Sequence, residues 1–137
     1  MPQFEDWTRA EAPPEDVWKL LYDPGRFPDW WAGVGSVESG GAGAYTMYPQ
    51  GYPDFPVPQQ LRTAGTGAAS GVTISCLVSD LVFQWQLAPL DGGSAMSVTV
   101  HVEIPEAEAH RLQAQRDVIS QSLSRLAALA AAESRGE

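Results

Sequence analysis

The chain has 137 residues, of which 44% are hydrophobic and 18% charged, and its formal net charge is −9. That is the length of one ordinary domain and the balance of a folded globular protein, not of a disordered or fibrous one. Seventeen acidic against eight basic residues work against nucleic acid as a partner, since Lys and Arg supply most of that affinity. The one lysine and seven arginines also form no basic patch for anionic lipid.

No apolar run approaches the ~20 residues of a membrane span, and the first residues lack the basic stretch and apolar core of a signal peptide, so a cytoplasmic protein is expected. A lone cysteine, Cys76, has no disulfide partner within the chain and reads as a small core residue. His101 and His110 fall in different predicted elements, with no carboxylate or cysteine at metal-ligand spacing. No metal and no cofactor are expected.

The chain opens with an extended piece over residues 4–12. Pro14 at a first helical turn, with Glu15 and Asp16 beside it, predicts a helix to Tyr22: proline loses no hydrogen bond there, and carboxylates suit the positive end of the helix dipole. Val17, Leu20 and Leu21 give that helix a narrow apolar stripe. Asp23-Pro24-Gly25 ends it, and residues 26–31, marked by Pro28, allow one more brief helical turn.

After Gly33 the pattern turns to period two. Strands are predicted at 34–39, 44–48 and 59–66, with Gly40-Gly41-Ala42-Gly43 as a turn and the proline-rich stretch 49–58 as an irregular loop. Alternation is stronger in the next runs: Val72, Ile74, Cys76 and Val78; then Phe83, Trp85 and Leu87; then Met96, Val98, Val100, Val102 and Ile104. Such runs describe an antiparallel sheet with one dry and one wet face. His101 lies on the wet face with Thr99 and Glu103. Asp91-Gly92-Gly93 reads as a hairpin turn.

A long helix is predicted over residues 106–132, with Leu112, Ile119, Leu123, Leu126 and Ala130 on one face. The reading is α+β, a single unit over residues 1–137, in which the helix covers the dry face only by lying across the sheet.

The run Ala12-Pro13-Pro14-Glu15-Asp16-Val17-Trp18, with Leu20-Leu21, Asp23-Pro24 and Phe27-Pro28-Asp29-Trp30-Trp31, resembles the N-terminal signature of the polyketide cyclase/dehydrase-like branch of the START-related SRPBCC superfamily. That superfamily also includes the birch pollen allergen type and lipid-transfer domains. The resemblance implies a helix-grip fold: a bent antiparallel sheet of about seven strands around a long C-terminal helix, with two short helices after the first strand. It also implies a cavity between sheet and helix for a small hydrophobic or aromatic molecule, in a protein that is a monomer or a homodimer.

The residues support such a cavity independently. Five tryptophans, four tyrosines and four phenylalanines are present, and aromatic rings supply the large rigid contact area that small-molecule sites use. The ligand-binding candidates are Trp30, Trp31, Tyr45, Tyr48, Tyr52, Phe55, Phe83 and Trp85, with Ile119 of the last helix. Phe83 and Trp85 serve equally well as core.

No nucleophile–base constellation and no phosphate loop can be placed. In cyclase members of the resembled family an arginine on a middle strand points into the cavity and binds a polyketone oxygen. Arg62 stands on the corresponding strand, as a ligand-binding and catalytic candidate that would stabilise a developing enolate. Alternation leaves two choices there, because Leu61 inward sends Arg62 to solvent. Three functions stay open: a binding module for an apolar metabolite, a polyketide cyclase, aromatase or dehydratase, and a protein-interaction domain.

Overall fold

The computed structural model describes residues 2–65 and 70–136. Strand β1 (Gln3–Ala10) leads into helix α1 (Pro14–Tyr22), a 3-10 turn (Pro24–Arg26) and the one-turn helix α2 (Phe27–Trp30). Six strands follow: β2 (Val34–Gly41), β3 (Ala44–Pro49), β4 (Val57–Ala64), β5 (Gly71–Cys76), β6 (Val82–Leu90) and β7 (Ala95–Glu103). A 3-10 turn (Glu106–Arg111) and the 23-residue helix α3 (Leu112–Ser134) complete the fold. The seven strands form one antiparallel sheet in the order β1-β7-β6-β5-β4-β3-β2, so α1 and α2 carry the chain from one edge to the other.

Local chemistry accounts for most of these boundaries. Pro14 opens α1 with two carboxylates in the first turn, and the Asp23 side chain accepts from the Gly25 amide to start the next turn. Between β2 and β3, Ala42 and Gly43 both adopt positive φ (52° and 82°), the geometry of the two-residue turn whose twist matches the flanking strands. Glycine is required at 43, because a Cβ there would lie 2.2 Å from the Leu61 carbonyl oxygen.

Several predicted boundaries shift: β2 runs on to Gly41, and β5 stops at Cys76, which leaves Val78 exposed in the following turn and off the dry face. The first strand stops at Ala10. Strand β4 starts at Val57, where Val57 and Pro58 already pair with Met47 and Thr46, so the irregular loop is confined to 50–56. The last residue predicted for that strand, Thr66, lies outside the described residues. Residues 106–111 wind as a 3-10 turn, and the α-helix begins only at Leu112.

The dry face is continuous. Val72, Ile74 and Cys76 of β5, Phe83, Trp85 and Leu87 of β6, and Met96, Val98, Val100 and Val102 of β7 are buried in one cluster with Ile119, Leu123, Leu126 and Ala130 of α3. Leu112 packs against that cluster half-buried.

Helix α3 is tied down near both its middle and its end. Ser122, fully buried, accepts from the Ala32 amide at 2.9 Å and donates to the Val118 carbonyl at 2.7 Å. Near the C-terminus, Glu133 forms ion pairs with Lys19 of α1, at 2.8 Å, and with Arg26.

Lys19 and Arg26 hold the Glu133 carboxyl below its ordinary value of 4.5. A carboxyl with a lowered folded pKa contributes stability above its unfolded pKa, and that stability drains away as the pH falls through the folded value. Glu133→Gln is therefore expected to flatten the acid limb of a stability–pH profile below about pH 4.5, measured by urea unfolding. Leu123→Ala, at the centre of the helix–sheet contact, should cost about 2–4 kcal/mol in the same assay. A loss under about half a kilocalorie would place Leu123 outside the core.

Candidate functional site

The core rings form one connected set. Trp30 stacks on Trp31 at 5.4 Å with a 22° interplanar angle, and both meet Trp85 edge-on at 5.2 Å. Phe83 meets Trp31 at 5.1 Å, and Phe27 meets Tyr45 at 5.8 Å, each near perpendicular. These are the offset and T-shaped arrangements the ring quadrupole favours. The Trp30 indole N–H donates to the Leu20 carbonyl at 2.9 Å, which pins α2 on α1.

Beside this set, at the end of the sheet nearest β2–β4, lies a cavity of about 410 Å³. The α2–β2 junction contributes Trp31, Ala32, Gly33 and Val34; β3 contributes Met47 and Pro49; and Phe55 comes from the loop before β4. Val57 and Gln59 of β4, Cys76, the β5–β6 turn with Val78, Ser79 and Leu81, and Phe83 form the sheet side. The helix side is Glu108, Arg111, Gln115 and Val118. Phe55 and Val78, 60% and 66% exposed, mark where it opens to solvent.

Deep in the wall, Gln59 is buried, and its side-chain oxygen accepts from the Tyr45 hydroxyl at 2.5 Å. Burial, reinforced by nearby Cys76, pushes the Tyr45 pKa well above its ordinary 10.0. The phenol therefore remains a donor, and Gln59 keeps its amide N–H donors and one oxygen lone pair for a ligand. Ser79 donates to the Cys76 sulfur at 3.1 Å. At the opening, Arg111 has Glu108 3.6 Å away across one turn.

Among the predicted site residues, Trp31, Phe55 and Phe83 line the cavity. Trp30, Tyr45, Trp85 and Ile119 are buried behind it, in the core. Tyr48 is half-buried on β3, where period two sends its neighbours Met47 and Pro49 into the lining. Tyr52, 65% exposed, sits in the 50–56 loop and does not line the cavity.

Arg62 is exposed. The β4 register turns Gln59 and Leu61 to the buried face, so Arg62 takes the opposite one, beside Thr73 of β5. Trp30, a ligand-binding candidate by sequence, is fully buried and outside the cavity lining: the Leu20 hydrogen bond and the Trp31 and Trp85 rings hold it in the interior.

Sequence reasoning missed the polar lining, Gln59, Glu108, Arg111 and Gln115. One signal was available. The apolar stripe of the last helix skips from Leu112 to Ile119, and Gln115 stands in the gap.

A ligand in the cavity would touch Trp31 and not Trp30. Trp31→Phe is therefore expected to abolish the change in tryptophan fluorescence caused by a naphthalene-type ligand, whereas Trp30→Phe should retain it. Equal changes in both variants would mean that the ligand sits elsewhere.

The family model described as polyketide cyclase/dehydrase and lipid transport matches residues 1–131. No curated protein matches the chain. Solved structures do, and they support the fold. A Chromobacterium violaceum protein is 24% identical with a TM-score of 0.71, over 96% of this chain and 99% of that one. A Nitrosospira multiformis protein is 19% identical with a TM-score of 0.74, over 98% and 99%. A protein of the dynemicin biosynthetic locus is 18% identical with a TM-score of 0.58, over 91% of this chain and 45% of that longer one. With its helix-grip fold and a family match over nearly its whole length, the chain belongs to the polyketide cyclase/dehydrase and lipid transport family.

Proposed function

We propose that the chain is a binding module that holds a small, largely apolar or aromatic molecule in the cavity between sheet and α3. The observation that carries this reading is the cavity itself. Its volume of about 410 Å³ falls within the ~300–1,000 Å³ of small-molecule sites, and its wall is mostly apolar with a few spaced polar groups. Its polar side chains, Gln59, Cys76, Ser79, Glu108, Arg111 and Gln115, include no histidine and no carboxylate pair for general acid–base work. Residues 1–137 then act as one ligand-binding unit, as monomer or homodimer, in the cytoplasm.

The family description favours a second reading, a cyclase, aromatase or dehydratase acting on a polyketide-like substrate. In this cavity the donors for a developing enolate would be the Gln59 amide and Arg111, not the exposed Arg62.

Val118→Trp, which enlarges a half-buried lining residue of α3, should abolish binding of flat aromatic probes while the chain remains folded by circular dichroism. Unchanged binding in that variant would refute the cavity as the site. Arg62→Ala should leave probe affinity within about twofold of the parent, as expected for a surface side chain. Turnover of a polyketide-like substrate by the parent would select the enzymatic reading.

A further inference from the structure

Among the described residues, Arg111 is the one basic side chain in the cavity lining. Other cations are engaged elsewhere: Arg9 with Glu11 and Asp91, Lys19 and Arg26 with Glu133, and Arg116 over the Phe4 ring. The link from Arg111 to Glu108, at 3.6 Å and with the Arg111 side chain 42% exposed, is too long for a hydrogen bond and contributes little to stability. The guanidinium is thus placed at the opening with its planar fork of N–H donors uncommitted, the arrangement that matches a carboxylate in bidentate fashion.

Gln115, one turn further along the helix, lines the same wall. Arg111 ends the 3-10 turn and Gln115 lies in the first turn of α3, and both line the same cavity. The rest of the lining includes the buried Trp31, Leu81 and Phe83 and the half-buried Val118, with Cys76, Ser79 and the buried Gln59 as its further polar groups. The cavity thus combines a part-exposed cation, buried rings and aliphatic groups, and a buried amide.

We propose that the ligand is an amphipathic anion, an apolar ring-bearing molecule whose carboxylate is received by Arg111 and Gln115 at the cavity opening. The inference rests on the binding reading above and adds the charge of the ligand. Glu108 stands 3.6 Å from the fork without hydrogen-bonding to it, so the donors are open to a ligand carboxylate, while the Glu108 charge opposes that carboxylate and sets part of the cost of binding it. The net charge of −9 opposes the approach of an anion only weakly, because exposed charges beyond ~8 Å are largely screened at physiological salt.

The test is a matched pair of probes, 2-naphthylacetic acid and 2-naphthylacetamide, titrated by isothermal calorimetry. The parent chain is expected to bind the acid about tenfold more tightly than the amide, the scale of one partly solvated charge-assisted hydrogen bond. Arg111→Gln should remove that preference by weakening the acid by about tenfold more than the amide, with circular dichroism reporting that the variant is folded. Glu108→Gln should strengthen binding of the acid alone. Equal affinities in the parent, or an Arg111→Gln variant that weakens both probes alike, would overturn the anion inference and leave the binding reading standing. Failure of both probes to bind the parent would overturn the two together.

Discussion

The structure depends on the seating of helix α3 across the dry face of the sheet. Seven antiparallel strands with alternating burial expose a broad apolar surface on one side, and among the described elements α3 is the longest that covers it, with α1 and α2 beside it. From Ile119 onward α3 fits closely: Ile119, Ser122, Leu123, Leu126 and Ala130 are all buried. In its first half Leu112 and Val118 are half-buried and Gln115 faces the cavity. The helix therefore clamps at one end and stands off at the other. The space left at this end opens to solvent beside Phe55 and Val78.

What keeps the space from collapsing is the aromatic set beside it. Phe27, Trp30, Trp31, Tyr45, Phe83 and Trp85 brace one another through near-perpendicular and stacked contacts. Large rings with two side-chain torsions each lose little freedom and do not rearrange to fill a neighbouring void as a methionine would. The Ser122 hydroxyl joins α3 to the α2–β2 junction at the cavity's edge, satisfying the Ala32 amide that would otherwise be buried without a partner. Fold stability and cavity shape thus rest on the same few contacts.

Family membership brings the fold and a range of activities, and it leaves the activity of any one member to the residues in the cavity wall. Here the wall is short of titratable groups. The Tyr45 phenol is locked as a donor to Gln59, and the two charged side chains lie on the helix side of the wall. Such a wall can orient a molecule by its polar ends and exclude water from the rest. The acid–base pair that proton transfer requires is not among the described lining residues.

The order of the elements was legible from the sequence because each rests on local chemistry. Pro14 with Glu15 and Asp16 starts α1, period-two alternation sets the faces of β5, β6 and β7, and the heptad-like recurrence of Leu112, Ile119 and Leu126 marks the last helix. Side-chain direction on β4 was not legible, since a strand with mixed residues reads equally well in either register. Pairing with β3 and β5 decided it, turning Gln59 and Leu61 in and Arg62 out. The division of the aromatics into core and lining likewise waited on tertiary structure, because composition counts rings without saying which face a cavity. Trp30 and Trp31 are neighbours in sequence, yet one is sealed by its bond to Leu20 and the other borders the cavity. The sequence by itself determined that a helix would lie across a half-dry sheet, because hydrophobic periodicity is a local property. Only the tertiary structure decided where that helix stands away from the sheet and which polar groups meet the space, because both depend on contacts between residues far apart in the chain.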